Sequence, residues 1–255
     1  MIHYEENVYH KVRFFIYPLI SIAYPMLHII YHGHSCIEIE LPEWSWLIDP
    51  FITDNPKCDI TLEQLLMRPL LGIIITHGHR DHVGDTFTIK QSFPSLPVWT
   101  TYGVAQVLER EYHLTDVMGV GIGGTVRSPH LSCKFVTAVH DGGILDTVYS
   151  AAPSGVLVTY ENTTIYHAGD TALTMDMKLL GRVDVAFLPI GDRYTMGILD
   201  AVTATSWILP TTVVPIHYNT RPDIIADDNE FARQVMLGNY AVPKILRPGQ
   251  YVVVT

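Results

Sequence analysis

The sequence predicts an α/β fold built as two matching halves, and three observations carry that prediction. Short apolar, β-branched runs alternate with stretches that repeat at helical spacing, as in a sheet covered by helices. Both halves follow the same strand-then-helix order. Four strand-like runs end in metal-binding side chains: one in the loop His77-Gly78-His79-Arg80-Asp81-His82, the others at His140, Asp170 and His217. Strand ends at one edge of a sheet are neighbours in space however far apart they lie in sequence, so these four points can meet.

The chain in order begins with a segment that stands apart. Lys11 and Arg13 precede an apolar run from Phe14 to Tyr24 that superficially resembles a signal peptide. Pro18 and Pro25 interrupt it, no small-residue cleavage site is clear, and it is too short and broken for a membrane span. Met26 reads as a natural start, which makes residues 1–25 an extension and residues 26–255 the single domain.

Leu27 to Tyr31 reads as a strand. Cys36 to Leu41 alternates apolar and acidic residues, so one face is expected buried and the other wet. Pro42-Glu43 turns the chain into a strand from Ser45 to Asp49. Thr61 to Met67 is a short helix capped by Thr61. Leu70 to Ile75 is a buried strand that delivers the His-rich loop. A helix over Val83 to Phe93, a strand over Leu96 to Thr100 and a helix over Gly103 to Glu111 follow. The glycines between Val117 and Val126 do not lead from a strand into a helix at phosphate-binding spacing, so they mark a turn between strands.

Leu131 to Val139 is a strand ending at His140. The long polar loop from Asp141 to Gly155 is a candidate lid. Gly155 to Glu161 and Thr164 to His167 form a hairpin about Asn162-Thr163. Next come a short helix over Met175 to Gly181 and a strand over Val183 to Pro189. A helix over Ile198 to Leu209 follows, with Ile198, Val202 and Leu209 toward the core. A strand over Thr212 to Ile216, a helix over Asp228 to Leu237 and a strand over Gln250 to Thr255 complete the order.

Composition narrows the function. A chain of 255 residues with 48% hydrophobic and 16% charged residues buries a sizeable core and is not disordered. A net charge of -10 argues against a broad nucleic-acid-binding face. It leaves anionic small molecules open, because a metal site supplies its own positive charge. The three cysteines Cys36, Cys58 and Cys133 form no C-x-x-C pair, which points away from a disulfide framework and toward the reducing cytoplasm. The expected partner is a small-molecule substrate, with neither nucleic acid nor membrane; a homo-oligomer stays open.

His77, His79, Asp81 and His82 fall within six residues after a buried strand, a specific signal for metal. In extended backbone His77 and His79 point the same way. Together with His140, Asp170 and His217 they supply five imidazoles and two carboxylates. That set serves two ions: His77, His79 and His140 for the first, Asp81, His82 and His217 for the second, and Asp170 shared. Nitrogen and oxygen donors without thiolate suit Zn²⁺ first, and also Mn²⁺, Fe²⁺, Co²⁺ or Ni²⁺. A water shared by two such cations loses a proton near neutral pH, and the cations polarise a carbonyl or phosphoryl oxygen. Asp81 could also act in catalysis by accepting a hydrogen bond from the resulting hydroxide. Asp49 either orients a metal-bound imidazole through its far nitrogen or starts the turn at Pro50. His34, beside Gly33, could support the site or touch substrate, with a structural role the simpler reading.

The motif H-x-H-x-D-H at His77, His79, Asp81 and His82, with His140, Gly169-Asp170-Thr171 and Pro215-Ile216-His217, resembles the metallo-β-lactamase fold superfamily. Asp49 looks like that superfamily's first-motif aspartate. A finer set resembles the bacterial and archaeal metal-dependent hydrolases related to L-ascorbate-6-phosphate lactonase: Tyr31 to Cys36, Ile48 to Phe51, Tyr166 to Thr171, Leu188 to Asp192, Thr195 to Gly197 and Ile216 to Thr220. The resemblance spans about residues 26–255 and implies a four-layered αβ/βα sandwich holding two metals. Thr171 and Asp192 lie in the matched motifs and join Asp49 and His34 as candidates to support the site or touch substrate. Arg80 departs from the pattern, where a small or apolar residue is common. It either brings positive charge to the site mouth or points to solvent. The implied activity is hydrolysis of a small ester-like substrate, a lactone or phosphorylated lactone. The alternatives are a phosphodiesterase or nuclease on the same fold, which acidic composition disfavours, and a non-catalytic metal-binding or sensor protein, which the complete ligand set disfavours.

Overall fold

Residues 26–254 are described by the structure, a computed structural model; the expected extension at residues 1–25 lies outside them. The first half runs β1 (Leu27–Tyr31), β2 (Ile37–Glu40), β3 (Ser45–Ile48), α1 (Leu62–Leu66), β4 (Leu70–Ile74), α2 (Arg80–Val83), α3 (Thr86–Ser92), β5 (Val98–Thr101), α4 (Tyr102–Arg110) and β6 (Val117–Val120). The second half runs β7 (Thr125–Arg127), β8 (Ser132–Thr137), β9 (Ser154–Tyr160), β10 (Thr163–His167), a 3₁₀ turn (Met175–Leu179), β11 (Val185–Pro189), α5 (Ile198–Ile208), β12 (Thr212–Ile216), α6 (Asp228–Gly238), β13 (Val242–Pro243) and β14 (Tyr251–Val254).

The strands form two seven-stranded sheets, ordered β14-β1-β2-β3-β4-β5-β6 and β13-β12-β11-β10-β9-β8-β7. Alternation sends successive residues to opposite faces. Ile29, Ile39, Trp46, Ile48 and Trp99 of the first sheet therefore pack on Phe135, Val156, Val158, Phe187 and Ile216 of the second. Leu47, Ile73 and Val98 point the other way, onto Leu65, Ile89, Val104 and Leu108 of the helices. On the far side Tyr166, Ala186, Leu188 and Val213 meet Ala201, Ala204, Phe231 and Val235. The result is the expected four-layered αβ/βα sandwich.

Strand direction decides where function can sit. β3 to β6 run parallel, and β1 shares their direction through antiparallel β2. In the second sheet β10, β11 and β12 run parallel, with β8 in the same sense through antiparallel β9. The C-terminal ends of β1, β3 and β4 thus share one edge, as do those of β8, β10 and β12. Every candidate ligand named above follows one of these ends, or lies in the loop beyond it.

Three sequence expectations need correction. The helix over Val83 to Phe93 is two helices, because the chain pivots at Gly84. That residue has φ +49°, and a Cβ there would lie 2.2 Å from the Pro50 carbonyl oxygen. Leu209 ends α5 in the left-handed region and is 61% exposed; Ala201, Ala204, Thr205 and Ile208 face the core instead. The Asp141 to Gly155 loop, a candidate lid, is anchored at its middle and does not stand free. Ile144 is buried in the core beneath the first sheet's helices, and the Leu145 N–H donates to the Gly78 carbonyl at 2.7 Å, so the loop braces the His-rich turn from behind.

Glu38, expected on a wet face, is fully buried. It accepts from His32 Nε2 at 2.9 Å and pairs with Arg68, while His32 Nδ1 reaches Asp59 at 2.7 Å. Burial alone would raise the Glu38 carboxyl, but His32, Ser45 and Arg68 hold it below its usual 4.5. Burial alone would lower His32, but Asp59 and Glu38 hold it above its usual 6.5. Glu38→Gln is expected to cost about 3 kcal/mol, the scale for breaking a buried ion pair from one side. The contribution of Glu38 fades as pH falls through its depressed value, and that of His32 as pH rises through its raised one. Urea unfolding should therefore show the wild-type advantage largest near pH 5.5 and smaller at about pH 9.5. An equal gap at both pH values would contradict the pairing. Among the described residues no helix is long and apolar enough to cross a membrane.

Candidate metal centre

The C-terminal ends of the inner strands deliver the site. β4 leads into Thr76 to His79, and the short helix α2 carries Asp81 and His82. β8, β10 and β12 lead to His140, Asp170 and His217. The turn before Asp170 is made by Gly169, at φ +60°, where a Cβ would lie 2.5 Å from the Ser154 carbonyl oxygen. Only glycine lets the turn after β10 pass so close to the start of β9.

All seven sequence-predicted ligands converge, in two groups. His77, His79, His140 and Asp170 present atoms within 4.8 Å of one another, as do His34, Asp81, His82 and His217. In the first group His79 Nδ1 lies 3.0 Å from His77 Nε2 and 3.2 Å from His140 Nε2. Asp170 stands between the groups. Its Oδ2 is 3.9 Å from His77 Nε2, 3.5 Å from His140 Nε2 and 3.0 Å from His217 Nε2, and its Oδ1 is 3.3 Å from His82 Nε2. His82, Asp170 and His217 are buried, while His79, Asp81 and His140 reach the surface in part.

These donors fit divalent cations. Among the described residues the buried atoms His82 Nε2, Asp170 Oδ1 and both ring nitrogens of His217 have no hydrogen-bond partner. Burying such groups unsatisfied is costly unless something else meets them. Two imidazole nitrogens, from His77 and His140, crowd His79 Nδ1 with at most one proton per contact to share. The protonation states agree with ligation, which needs neutral imidazole and ionised carboxylate. Burial, then the neighbouring imidazoles, pushes His77, His79 and His140 below the usual histidine range. Burial opposes charge on Asp170, yet His217 and His82 hold it well below the carboxylate range. His82 is the exception: despite burial, Asp170 and Asp49 on either side hold it high, so a proton on it stands where a cation belongs.

The supporting residues divide. Asp49 is fully buried, and its Oδ1 accepts from the Thr76 N–H at 2.8 Å. Its Oδ2 meets Thr76 Oγ1 and His82 Nδ1, each at 2.7 Å, so it orients an imidazole through the far nitrogen. Thr171 accepts from the Val139 N–H at 3.0 Å and so steadies the approach to His140. His167 is buried with Nε2 on the Ser35 carbonyl, a structural place. Asp192 is not brought to the site: it is exposed and lines a cavity with Gly197, Ile198 and Asp227. His34 goes further than expected and enters the second group, with Nε2 3.1 Å from Asp81 Oδ2 and Nδ1 2.7 Å from Thr220 Oγ1. Burial, then His217, lowers it to about 4.

Two cavities of about 360 Å³ each open beside the cluster. One is walled by His79, His140, Asp170, Tyr194 and His217; the other has an apolar wall of Phe51 and Pro56 beside His34. Arg80, Asp81 and Arg221 line both. Arg80 lines the mouth and is also largely exposed to solvent, where it pairs with exposed Asp146. Sequence reasoning missed Arg221 and Tyr194, which carry no spacing signal and are placed by the turns after β11 and β12.

Comparison with known proteins agrees with this geometry. The family described as "Beta-lactamase superfamily domain" matches residues 46–218. The chain is 41% identical over 233 residues to a UPF0173 metal-dependent hydrolase of Bacillus mycoides, covering 88% of this chain and 98% of that one. A metallo hydrolase of Ignicoccus hospitalis, Igni18, superposes with a TM-score of 0.81 at 32% identity, over 90% of this chain and 99% of that one. CmlA of Streptomyces venezuelae, described as a diiron β-hydroxylase, superposes with a TM-score of 0.69 over 90% of this chain and 54% of that one; at 18% identity it shares the fold alone.

Proposed function

We propose, from the premise that this chain belongs to the β-lactamase superfamily and within it to the UPF0173 metal-dependent hydrolases, that it hydrolyses a small ester-like substrate at a two-cation centre. The substrate class is a lactone or phosphorylated lactone, in line with the motifs shared with the lactonase-related branch. The first cation is assigned to His77, His79 and His140, the second to Asp81, His82 and His217, and Asp170 is shared. Zinc suits these donors best, with Mn²⁺, Fe²⁺, Co²⁺ and Ni²⁺ also compatible.

The observation that carries the reading is Asp170, a buried carboxylate that faces His82 and His217 of one group and, through Oδ2, His140 of the other. Two cations there would supply an acidified water and a polarised substrate carbonyl. The chain's own residues do the rest. Asp81 borders both cavities and accepts a hydrogen bond from the attacking water, which fixes its line of approach. Phe51 and Pro56 offer an apolar wall to the ring or alkyl part of the substrate. Arg80 and Arg221 sit at the mouth, where an anionic group such as phosphate would lie. The thiols of Cys36, Cys58 and Cys133 form no disulfide, which supports a cytoplasmic location.

The test is a screen of the zinc- or manganese-loaded protein against lactones, phosphodiesters and thioesters. Turnover confined to phosphodiesters, or absent throughout, would sink the proposal. If the arginines meet an anion, Arg80→Gln should raise KM for a phosphorylated lactone roughly fivefold, the scale of one exposed charge pair. KM for the unphosphorylated lactone should hardly change. An equal rise for both would place Arg80 outside substrate recognition.

A further inference from the structure

The assignment above leaves one imidazole of the cluster without a task. We propose that His34 is a direct ligand of the second cation through Nε2, so that this ion takes His34, Asp81, His82 and His217 and shares Asp170. The inference rests on the two-cation reading and adds a donor to it.

Geometry is the first support. The candidate donor atoms of His34, Asp81, His82 and His217 all lie within 4.8 Å of one another. The His34 ring centroid is 4.1 Å from that of His217 and 5.9 Å from that of His82. His217 has no hydrogen-bond partner on either ring nitrogen among the described residues, which leaves its ring, beside that of His34, free to meet a cation.

The second support is how His34 is held. Its far nitrogen, Nδ1, is fixed by Thr220 Oγ1 at 2.7 Å, as a ligating imidazole's far nitrogen usually is by a neighbour. The ring is 1% exposed. Its backbone stands at φ +56°, and that of His217 at φ +53°, both in the left-handed region that side chains avoid. The His217 N–H donates to the His34 carbonyl at 2.8 Å. Two strained residues from opposite sheets are thus joined back to back, with their rings turned to the same point. Such strain persists where the surroundings impose it, and it concentrates at functional sites.

With His34 included, the two ions differ. The second is offered three nitrogens and two carboxylate oxygens, the first three nitrogens and one. The second ion is then the one with the fuller donor set, and each site keeps a side that reaches the surface in part, through His79 in the first and Asp81 in the second.

A competing role is that His34 merely hydrogen-bonds Asp81 and orients it. Cobalt as the probe metal separates the two. The wild-type chain is expected to take up two Co²⁺. His34→Asn, chosen because asparagine tolerates the left-handed backbone, should hold one Co²⁺ as before and the other at least about tenfold more weakly. His34→Cys should add a thiolate-to-cobalt charge-transfer absorption that the wild type lacks, since that band needs a sulfur bonded to the metal. The proposal is overturned if His34→Asn keeps two Co²⁺ with native affinity and spectrum, or if His34→Cys binds two Co²⁺ without the band. A wild-type chain that binds no cobalt would overturn the two-cation reading itself, and this inference with it.

Discussion

Asp170→Ala is expected to abolish hydrolysis and to empty the centre together. Among the described residues Asp170 is the one carboxylate that faces both imidazole groups, and its buried Oδ1 has no hydrogen-bond partner. Without it only Asp81 remains among the proposed ligands to offset two divalent charges. The kcat/KM should fall by on the order of a thousandfold or more, as for loss of a principal electrostatic group. Metal per chain should fall well below two. A control separates this from unfolding. Zinc at a thousand times its dissociation constant stabilises a binding-competent fold by about 4 kcal/mol. Wild type should show that gain in thermal melts and Asp170→Ala should not, while their chelated forms melt close together. Full metal content with retained turnover in the variant would end the shared-ligand assignment.

Asp49→Ala should be the most damaging change at a residue that is not a proposed ligand. One buried carboxylate satisfies the Thr76 N–H, the Thr76 hydroxyl and His82 Nδ1. Its loss strands the Thr76 N–H and His82 Nδ1 in the interior and leaves the Thr76 hydroxyl only His77 Nδ1, at a cost of about 3–5 kcal/mol. His82 is also released from its orientation, and metal affinity should fall roughly 10- to 100-fold. Asp49 itself stands at φ +49°, which asparagine accepts better than alanine. Asp49→Asn should therefore recover much of the stability and little of the affinity. Urea unfolding of chelated protein and zinc titration read the two effects apart; equal recovery of both would mean that Asp49 acts only on the fold.

How much of this was legible in the sequence depends on how local the cause was. The strands after which His77, His140, Asp170 and His217 stand are short apolar runs, and their spacing alone placed the seven donors at strand ends. Thr61 capped its helix as read, through a reciprocal bond with Gln64. The failures are long-range. Glu38 alternates with apolar neighbours as a solvent-facing residue would, and only the folded chain brings Arg68 and His32 to bury it. The break at Gly84 is imposed by Pro50, more than thirty positions away in sequence but touching in space. His34 reaches Asp81 because its backbone and that of His217 both turn left-handed, which no spacing rule anticipates. Asp192 shares a motif with the branch it resembles, yet its side chain stands by Gly197 at the start of α5.

The proposed donors are split between halves: His34, His77, His79, Asp81 and His82 follow strands of the first sheet, His140, Asp170 and His217 strands of the second. Bound cations would then act as rivets across a seam. Stripping them should let the sandwich breathe along that line, and amide exchange should quicken at both lips at once while the central strands stay protected. The same seam gives cargo entry and mechanical cohesion a common origin.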